Sequence, residues 1–319
     1  MLIKLDSELQ KVLDDAKKSN PNPPHLTELP LEMLRAGYVI QGQTQAIQNL
    51  DCYNVSPLEI PAPWGSINAR KYLARKYETD TPGLIYFHGG GFTIGDLDSH
   101  DSLCRQISIT ADICVISVDY RLAPEHKFPS AVEDAITATD WILANAEVLG
   151  LSPDRIAIGG DSAGGNLSAV TCNLLLQSNS RTPDFQLLIY PATRLLNTNS
   201  ASRKNLAEGV TLDRKMIDYF NETYLGGVDV ETNDERHSPA LSKTVSQTIP
   251  AHIVTAEFDP LKDEGREYYE MLRDSGVTAS YQCYEGLMHN FVMQTAVVSS
   301  AKRAVDDMSN VLRQHLYRG

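Results

Sequence analysis

The chain has 319 residues, of which 42% are hydrophobic and 22% are charged, and its formal net charge at pH 7 is −13. These proportions are typical of a folded globular protein and argue against a disordered chain. Binding to nucleic acid or to an anionic membrane requires clustered Lys and Arg, so the acidic balance argues against both. The length allows one large domain, or a domain with an added lobe, and a sizeable core; we place a single domain at residues 1–319.

The amino-terminal residues mix charges of both signs with apolar residues, so no signal peptide is predicted, and the apolar runs are too short to span a bilayer. The five cysteines are scattered without a CxxC pair, a pattern typical of reduced thiols in a cytoplasm. We therefore expect a cytoplasmic protein with no membrane insertion and no metal site. The sequence does not decide the oligomeric state, and a homodimer remains open.

The first element is an amphipathic helix, predicted by apolar side chains at helical spacing over residues 9–16. Three prolines, Pro21, Pro23 and Pro24, cannot continue a helix and should end it. A second, short helix is expected at about residues 31–34. The chain therefore opens with a helical segment.

From about residue 55 short apolar runs alternate with amphipathic segments. Continuous apolar runs of this length predict strands that are buried on both faces of a mainly parallel sheet. These runs lie at residues 84–87, 113–118, 156–158, 187–190, 253–256 and, less apolar, 279–284. Their alternation with helices indicates an α/β fold with helices on both faces of the sheet.

Helices are predicted at residues 130–143, where Ser130 and Glu133 have the spacing of a capping box, and at residues 297–312. Residues of about 195–245 break the alternation and are polar, with one helix expected near Met216 and Tyr224. An insertion of this kind could cover a site as a lid, and the alternative is a surface excursion without function.

The most informative motif is G-x-S-x-G, formed by Gly160, Ser162 and Gly164 between a predicted strand and a predicted helix. This is the context of a nucleophile elbow, in which small neighbours let strand and helix approach and the serine hydroxyl projects above the sheet. The glycine spacing does not fit a dinucleotide fingerprint. A chymotrypsin-like protease is also disfavoured, because it needs His and Asp before the serine on an all-β scaffold.

A second motif, His88-Gly89-Gly90-Gly91, follows the strand at residues 84–87 directly. Consecutive glycines can turn backbone N–H groups towards a substrate carbonyl, and the motif matches an oxyanion-hole loop. The expected donors are the amides of Gly90, Gly91 and Ala163, with His88 bracing the loop rather than acting as a base. Triple glycine alone would equally fit a flexible loop.

A serine nucleophile needs a base and an acid, and in α/β hydrolases both follow the serine in the chain. His289 is preferred as the base because it lies in a loop after a predicted strand, where α/β sheets place their sites. The other downstream histidines are expected in a strand, in the carboxy-terminal helix and in the polar insertion. They are His252, His315 and His237, respectively.

For the acid, Asp259 is preferred because it stands before Pro260 at the exit of a predicted strand. Glu257 and Asp263 are rivals, although Glu257 is still close to the strand and Asp263 is expected to cap the following helix. Without the serine and the histidine, all three would be interpreted as ordinary loop carboxylates.

Five stretches resemble the hormone-sensitive-lipase-like family of α/β-hydrolase carboxylesterases, in the branch with Gly-Asp-Ser-Ala-Gly that includes bacterial acetyl esterases. They occur in family order from about residue 55 onward: 88–98 (HGGGFTIGDLD), 119–129 (DYRLAPEHKFP), 160–166 (GDSAGGN), 259–265 (DPLKDEG) and 288–291 (MHNF). The resemblance implies an α/β-hydrolase fold with a mostly helical cap built from about residues 1–50 and 195–245. One small departure is Asn290, where the family often has glycine, and little consequence is expected.

The resemblance also implies roles for single residues. The triad would be Ser162, Asp259 and His289, the oxyanion hole would be formed by Gly90, Gly91 and Ala163, and a supporting motif would comprise His88, Gly89 and Asp161. The implied activity is hydrolysis of small, short-chain acyl esters through a covalent acyl-enzyme, with no cofactor and a small-molecule ester as partner. An amidase or lactonase using the same triad, or a regulatory ligand-binding protein of the same fold, remain as alternatives.

Overall fold

The structure is a computed structural model of the chain, and it describes residues 4–77, 80–196, 198–206, 208, 212–226 and 231–318. Its centre is one eight-stranded sheet in the order β1-β2-β4-β3-β5-β6-β7-β8. The strands are β1 Asn54–Ala62, β2 Gly65–Leu73, β3 Thr81–Phe87, β4 Cys114–Asp119, β5 Leu151–Asp161, β6 Phe185–Ile189, β7 Ala251–Phe258 and β8 Ala279–Met288. β2 is antiparallel to both of its neighbours, and all other pairs are parallel.

Helices cover both faces of this sheet, which confirms the predicted α/β class. They are α1 Ser7–Ser19, α2 Leu31–Gln45, α3 Asp101–Ala111, α4 Ser130–Ala144, α5 Ala163–Gln177, α6 Ala201–Asn205, α7 Arg214–Leu225, α8 Lys262–Asp274 and α9 Ser299–Leu316. Among the described residues, no helix is long and apolar enough to cross a membrane.

The strand β4 shows why a continuous apolar run predicted a buried strand. Ile116 and Val118 point into the core on the side of α4 and α5, whereas Val115 points into the core on the side of α3 and α9. Successive side chains of a strand point to opposite faces, so a strand covered on both sides needs apolar residues throughout.

Two expectations about local structure are wrong or incomplete. Ser130 does not cap α4 through its side chain, because it is the first helical residue and Pro129 occupies the position before it. The hairpin β1–β2 was not predicted strand by strand. Pro57 and Pro61 lie in β1, which is tolerated because β1 is an edge strand whose N–H groups need not all enter a ladder.

The segments predicted to form a cap meet through polar contacts. His25 Nε2 lies 2.8 Å from the Asp213 carboxylate, and Lys215 Nζ lies 2.8 Å from Glu28. The division into core and cap stays a prediction. Residues 197, 207, 209–211 and 227–230 of the predicted insertion lie outside the described residues.

Candidate active site

Ser162 occupies the sharp turn between β5 and α5. Its backbone has φ +54° and ψ −111°, a conformation that costs a non-glycine residue about 1–3 kcal/mol. The Ser162 N–H donates to Ile189 O at 2.8 Å, and the Ser162 carbonyl accepts from the N–H of Asn166 at 3.0 Å. A Cβ at Gly164 would overlap the carbonyl oxygen of Phe87, so only glycine lets the helix start this close to β3.

His289 links Ser162 to a buried carboxylate. Its Nε2 lies 3.1 Å from Ser162 Oγ, and its Nδ1 lies 2.7 Å from Asp259 Oδ2. An ionised carboxylate only accepts hydrogen bonds, so Nδ1 must donate, which leaves Nε2 to accept the serine proton. The second Asp259 oxygen accepts from the N–H of Leu261 at 2.8 Å. The catalytic roles of these residues stay a prediction, although their side chains form one hydrogen-bonded row.

The row forms because three strands end at the same edge of the sheet. Ser162 follows β5, Asp259 follows β7 and His289 follows β8. Both rival carboxylates are engaged elsewhere. Glu257 accepts from the N–H of Gly286 at 2.9 Å, and Asp263 accepts from the N–H of Ser202 at 2.7 Å. The expectation that Asp263 caps α8 is wrong, because it lies in the first turn of the helix and accepts from a distant segment.

The other downstream histidines have separate partners. His252 Nδ1 lies 2.8 Å from Ser280 Oγ, His237 Nε2 lies 3.0 Å from Glu231 O, and His315 stacks on Phe185 with ring centroids 4.1 Å apart. Within the described part of the chain, His289 is the histidine that lines the same cavity as Ser162.

The glycine loop predicted to hold an oxyanion lies against this cavity. Gly90 has φ +115°, a conformation that glycine adopts readily, and its carbonyl accepts from Thr93 and Ile94 at 3.1 and 3.0 Å. Gly90, Gly91 and Ala163 line the cavity together with Ser162. Among the described residues, no hydrogen bond uses the amides of these three residues as donors. They are therefore available to a substrate oxygen.

A buried polar cluster supports that loop from beneath. Asp161 Oδ1 accepts from Tyr86 Oη at 2.7 Å and from the Gly89 N–H at 2.8 Å, and it lies 3.2 Å from His100 Nε2. Burial alone would raise the pKa of Asp161, but the interactions with His100 and Tyr86 outweigh burial and hold its pKa below the ordinary value. Asp161, the residue directly before Ser162, is thus hydrogen-bonded to the glycine loop.

His88 lies in the same buried cluster and outside the cavity. Its Nδ1 donates to Gly89 O at 2.7 Å, and its ring stacks on Tyr120 at 4.3 Å. Burial lowers the pKa of His88 to about 4, with His100 adding to the effect, so the ring is neutral at pH 7. Sequence reasoning missed His100 and Tyr86. His100 stands only two residues beyond the quoted glycine-loop stretch, but neither residue has a spacing that would mark its role.

The cavity has a volume of about 310 Å³ and is enclosed partly by α2 and α7. Phe220 of α7 packs directly over Gly91. Arg203 also lines the cavity, and its guanidinium lies 2.7 Å from the buried carboxylate of Glu264. In the described residues no group of three or more His, Cys, Asp or Glu side chains is arranged to hold a metal ion.

Comparisons with known proteins identify the fold and the family of the chain. A family model described as the alpha/beta hydrolase fold matches residues 84–293. The carboxylic ester hydrolase LipN of Mycobacterium tuberculosis is 42% identical over 270 residues, which cover 83% of this chain and 71% of that protein. The ethyl acetate hydrolase of Pseudomonas putida is 36% identical over 234 residues, 73% of each protein.

Solved structures extend the similarity to nearly the whole chain. A mutant of an alpha/beta hydrolase enzyme from the metagenome of Lake Arreo, Spain, has a TM-score of 0.93 at 36% identity and covers 98% of both chains. A hyperthermophilic esterase from the archaeon Pyrobaculum calidifontis has a TM-score of 0.89 at 33% identity, with 98% of this chain and 99% of that chain covered. The chain therefore belongs to the hormone-sensitive-lipase-like family of α/β-hydrolase carboxylesterases.

Proposed function

We propose that this protein is a serine carboxylesterase that hydrolyses short-chain acyl esters through a covalent acyl-enzyme on Ser162. The observation that carries the proposal is the row from Ser162 Oγ through His289 to Asp259, with distances of 3.1 and 2.7 Å. Its serine end opens into a cavity lined by the expected oxyanion donors. The names of the curated relatives support ester hydrolysis.

In the first step, His289 Nε2 takes the proton of Ser162 while Oγ forms a bond to the ester carbonyl carbon. The carbonyl oxygen becomes an oxyanion and accepts hydrogen bonds from the amides of Gly90, Gly91 and Ala163. Asp259 keeps the ring oriented and stabilises the imidazolium that forms.

In the second step, the bond between the carbonyl carbon and the alcohol oxygen breaks, and His289 gives its proton to that oxygen. Water then adds to the acyl-enzyme by the same route, with His289 again taking and returning one proton. The acid leaves and Ser162 regains its hydrogen.

The preference for small esters rests on the size of the cavity. Its volume of about 310 Å³ stands at the lower end of the range of ligand pockets, which is about 300–1,000 Å³. Phe220, packed over Gly91, restricts the space above the oxyanion loop. The name of one relative, the ethyl acetate hydrolase, supports the same class of substrate.

The test compares p-nitrophenyl acetate, butyrate and octanoate with the wild type and with Ser162→Ala. We expect the two shorter esters to be hydrolysed fastest and Ser162→Ala to lose activity by about 10⁴-fold or more. Ser178→Ala, at the other end of α5, serves as the matched control and should keep the wild-type rate.

Labelling with a fluorophosphonate then identifies the nucleophile. Mass spectrometry should find the label on Ser162, and His289→Ala should abolish the labelling. Hydrolysis that persists in Ser162→Ala would overturn the proposal. Faster turnover of anilides or lactones with the same acyl group would replace the esterase assignment by an amidase or a lactonase.

A further inference from the structure

The wall of the cavity beside His289 is polar. It is formed by three side chains that we call the polar cluster: Tyr38 and Gln41 of α2, and Asn290. Tyr38 Oη donates to Asn290 Oδ1 at 3.1 Å, and Asn290 Nδ2 donates to Gln41 Oε1 at 3.4 Å. The helix α2 thus meets the residue that follows the proposed base.

The backbone of Asn290 fits this arrangement. Its φ of +70° is in the left-handed region, which asparagine and glycine tolerate better than other residues. The family that the chain resembles often has glycine here, so the conformation does not require a side chain. In this chain the Asn290 side chain lines the cavity and contacts α2.

The chemistry of the proposed reaction places the leaving alcohol on this side. In the proposed reaction the departing oxygen takes its proton from His289 Nε2, so that oxygen must lie within hydrogen-bond reach of Nε2. The groups attached to it then extend along the cavity wall next to His289, where the polar cluster lies. The acyl group leaves the same carbon in another direction, and the cavity also has apolar lining residues for it, such as Leu195, Met216 and Ile217.

The charge of the polar cluster restricts what it can bind. Its three side chains are neutral, and no Asp or Glu of the described residues lines the cavity. Burial raises the pKa of Tyr38 well above its ordinary value, so its hydroxyl keeps its proton. Arg203, a charged residue that lines the cavity, already pairs with Glu264 at 2.7 Å. Neutral donors and acceptors suit hydroxyl groups rather than an ammonium or a carboxylate.

The weakest contact of the polar cluster can be exchanged for a substrate contact. The 3.4 Å distance between Asn290 Nδ2 and Gln41 Oε1 is longer than the usual 2.7–3.2 Å of an N–H···O bond. A substrate hydroxyl could accept from Asn290 Nδ2 or donate to Gln41 Oε1 in place of this contact. Because the contact is weak, little free energy would be lost in the exchange. Two adjacent hydroxyls could engage both amides.

We propose that the polar cluster binds hydroxyl groups of the leaving alcohol, so that the preferred substrates are short-chain acyl esters of small polyols. This inference rests on the proposed esterase function, because only that reaction assigns the alcohol to the side of His289. It names the alcohol half of the substrate and the residues that select it.

The experiment compares two esters with the same acyl group, 2,3-dihydroxypropyl butyrate and propyl butyrate, by the kcat/KM of each. We expect the wild type to favour the dihydroxypropyl ester by about tenfold, since one or two hydrogen bonds to a partly open site are retained. Asn290→Gly keeps the left-handed backbone, and Tyr38→Phe removes one hydroxyl. Each substitution should bring the ratio of the two kcat/KM values close to one. Met216→Ala, at an apolar residue that lines the same cavity, is the control and should leave the ratio unchanged.

The outcomes distinguish recognition of the substrate alcohol from a purely structural role of the polar cluster. If the polar cluster only holds α2 in place, Asn290→Gly and Tyr38→Phe would lower kcat/KM for both esters by the same factor. The ratio of the two values would then stay at that of the wild type, which overturns the proposal. A wild-type ratio of one or less overturns it as well, while Ser162-dependent turnover of p-nitrophenyl butyrate keeps the esterase function intact. Loss of all Ser162-dependent hydrolysis would remove both proposals together. Thermal unfolding of each variant shows that it is folded.

Discussion

Ser162 lies between two histidine–aspartate pairs. On one side His289 Nδ1 is 2.7 Å from Asp259, and on the other His100 Nε2 is 3.2 Å from Asp161, the residue directly before Ser162. Both carboxylates are completely buried. The two pairs therefore have the same composition and almost the same depth.

The two pairs differ in what the second nitrogen of the histidine ring contacts. In His289 it faces Ser162 Oγ at the cavity, whereas in His100 it contacts Ser99 Oγ at 3.0 Å in a site with no solvent access. Asp161 also binds Tyr86 and the backbone of Gly89. A histidine–aspartate pair can thus exchange a proton with a substrate only where its outer nitrogen is accessible. The sealed pair instead contacts the loop that carries two of the proposed oxyanion donors, Gly90 and Gly91.

The largest expected effect separates the two histidines. His289→Gln removes the proposed base and should lower kcat/KM for p-nitrophenyl butyrate by about 10⁴-fold to 10⁶-fold, with little change in thermal stability. His100→Gln should do the reverse, with a clear loss of stability and a smaller loss of activity. Equal losses of kcat/KM in the two variants would abolish the distinction between an accessible and a sealed pair.

The two aspartates give the second contrast. Asp161→Asn should lower the free energy of unfolding by about 1–3 kcal/mol, because it weakens the bonds that the buried carboxylate accepts from Tyr86 and from the Gly89 N–H. It should also lower kcat/KM by about 10²-fold, since the loop with Gly90 and Gly91 loses its anchor.

Asp259→Asn should lower kcat/KM by about 10⁴-fold through a wrongly oriented ring, while losing less stability than Asp161→Asn. Urea unfolding and steady-state kinetics measure both quantities. We call the buried cluster of Asp161, Tyr86, His88 and His100 the sealed cluster. If Asp161→Asn were as stable as the wild type, the sealed cluster would not be what holds the glycine loop.

The accessible pair could be predicted from the sequence and the sealed pair could not. Ser162, Asp259 and His289 each follow a strand that the apolar runs indicated, and their order in the chain is fixed for an α/β hydrolase. The pairing of His100 with Asp161 depends on how a loop folds beneath the sheet edge. No periodicity in the sequence predicts that loop conformation. The same holds for Tyr38, which lies in the amino-terminal segment without any motif.

Local rules failed where distant segments competed. Asp263 was expected to cap α8, but it instead accepts from the N–H of Ser202, 61 residues earlier in the chain. Glu133, expected in a capping box, lies 3.2 Å from Arg121 instead. The strands β1 and β2 were missed because an edge hairpin, with one side open, does not need a continuous apolar run.

The sealed cluster also predicts how stability changes with pH. Burial lowers the pKa of His88 to about 4, whereas in the unfolded chain it is about 6.5. Below pH 6.5 the unfolded state binds a proton that the folded state does not, so the free energy of unfolding falls as the pH falls towards 4. Between pH 7 and pH 5 this histidine should account for a loss of about 2 kcal/mol.

His252 provides a comparison outside the site, because burial lowers its pKa to about 4 as well. Urea unfolding at pH 7 and pH 5 should show a smaller pH dependence in both His88→Gln and His252→Gln than in the wild type. Activity measured at pH 7 should fall only in His88→Gln. A pH dependence that neither substitution reduces would exclude these two histidines as its source.

The smallest effect concerns one hydroxyl group of the sealed cluster. Tyr86→Phe removes the Oη that donates to Asp161 at 2.7 Å and leaves the ring in place. It should lower the free energy of unfolding by about 1–2 kcal/mol, because a buried carboxylate loses one of its donors. The activity should change less than threefold, roughly, since His100 and Gly89 still hold Asp161.

Tyr224→Phe is the matched control, because the buried hydroxyl of Tyr224 has no hydrogen-bond partner within the part of the chain that the structure describes. Its ring stacks on Phe92 at 4.0 Å, and that contact survives the substitution. Removing an unpaired buried hydroxyl should leave stability unchanged or raise it slightly. If the two substitutions had equal effects, the bond from Tyr86 would contribute nothing to the anchor, and the loop would rest on His100 and the glycine backbone alone.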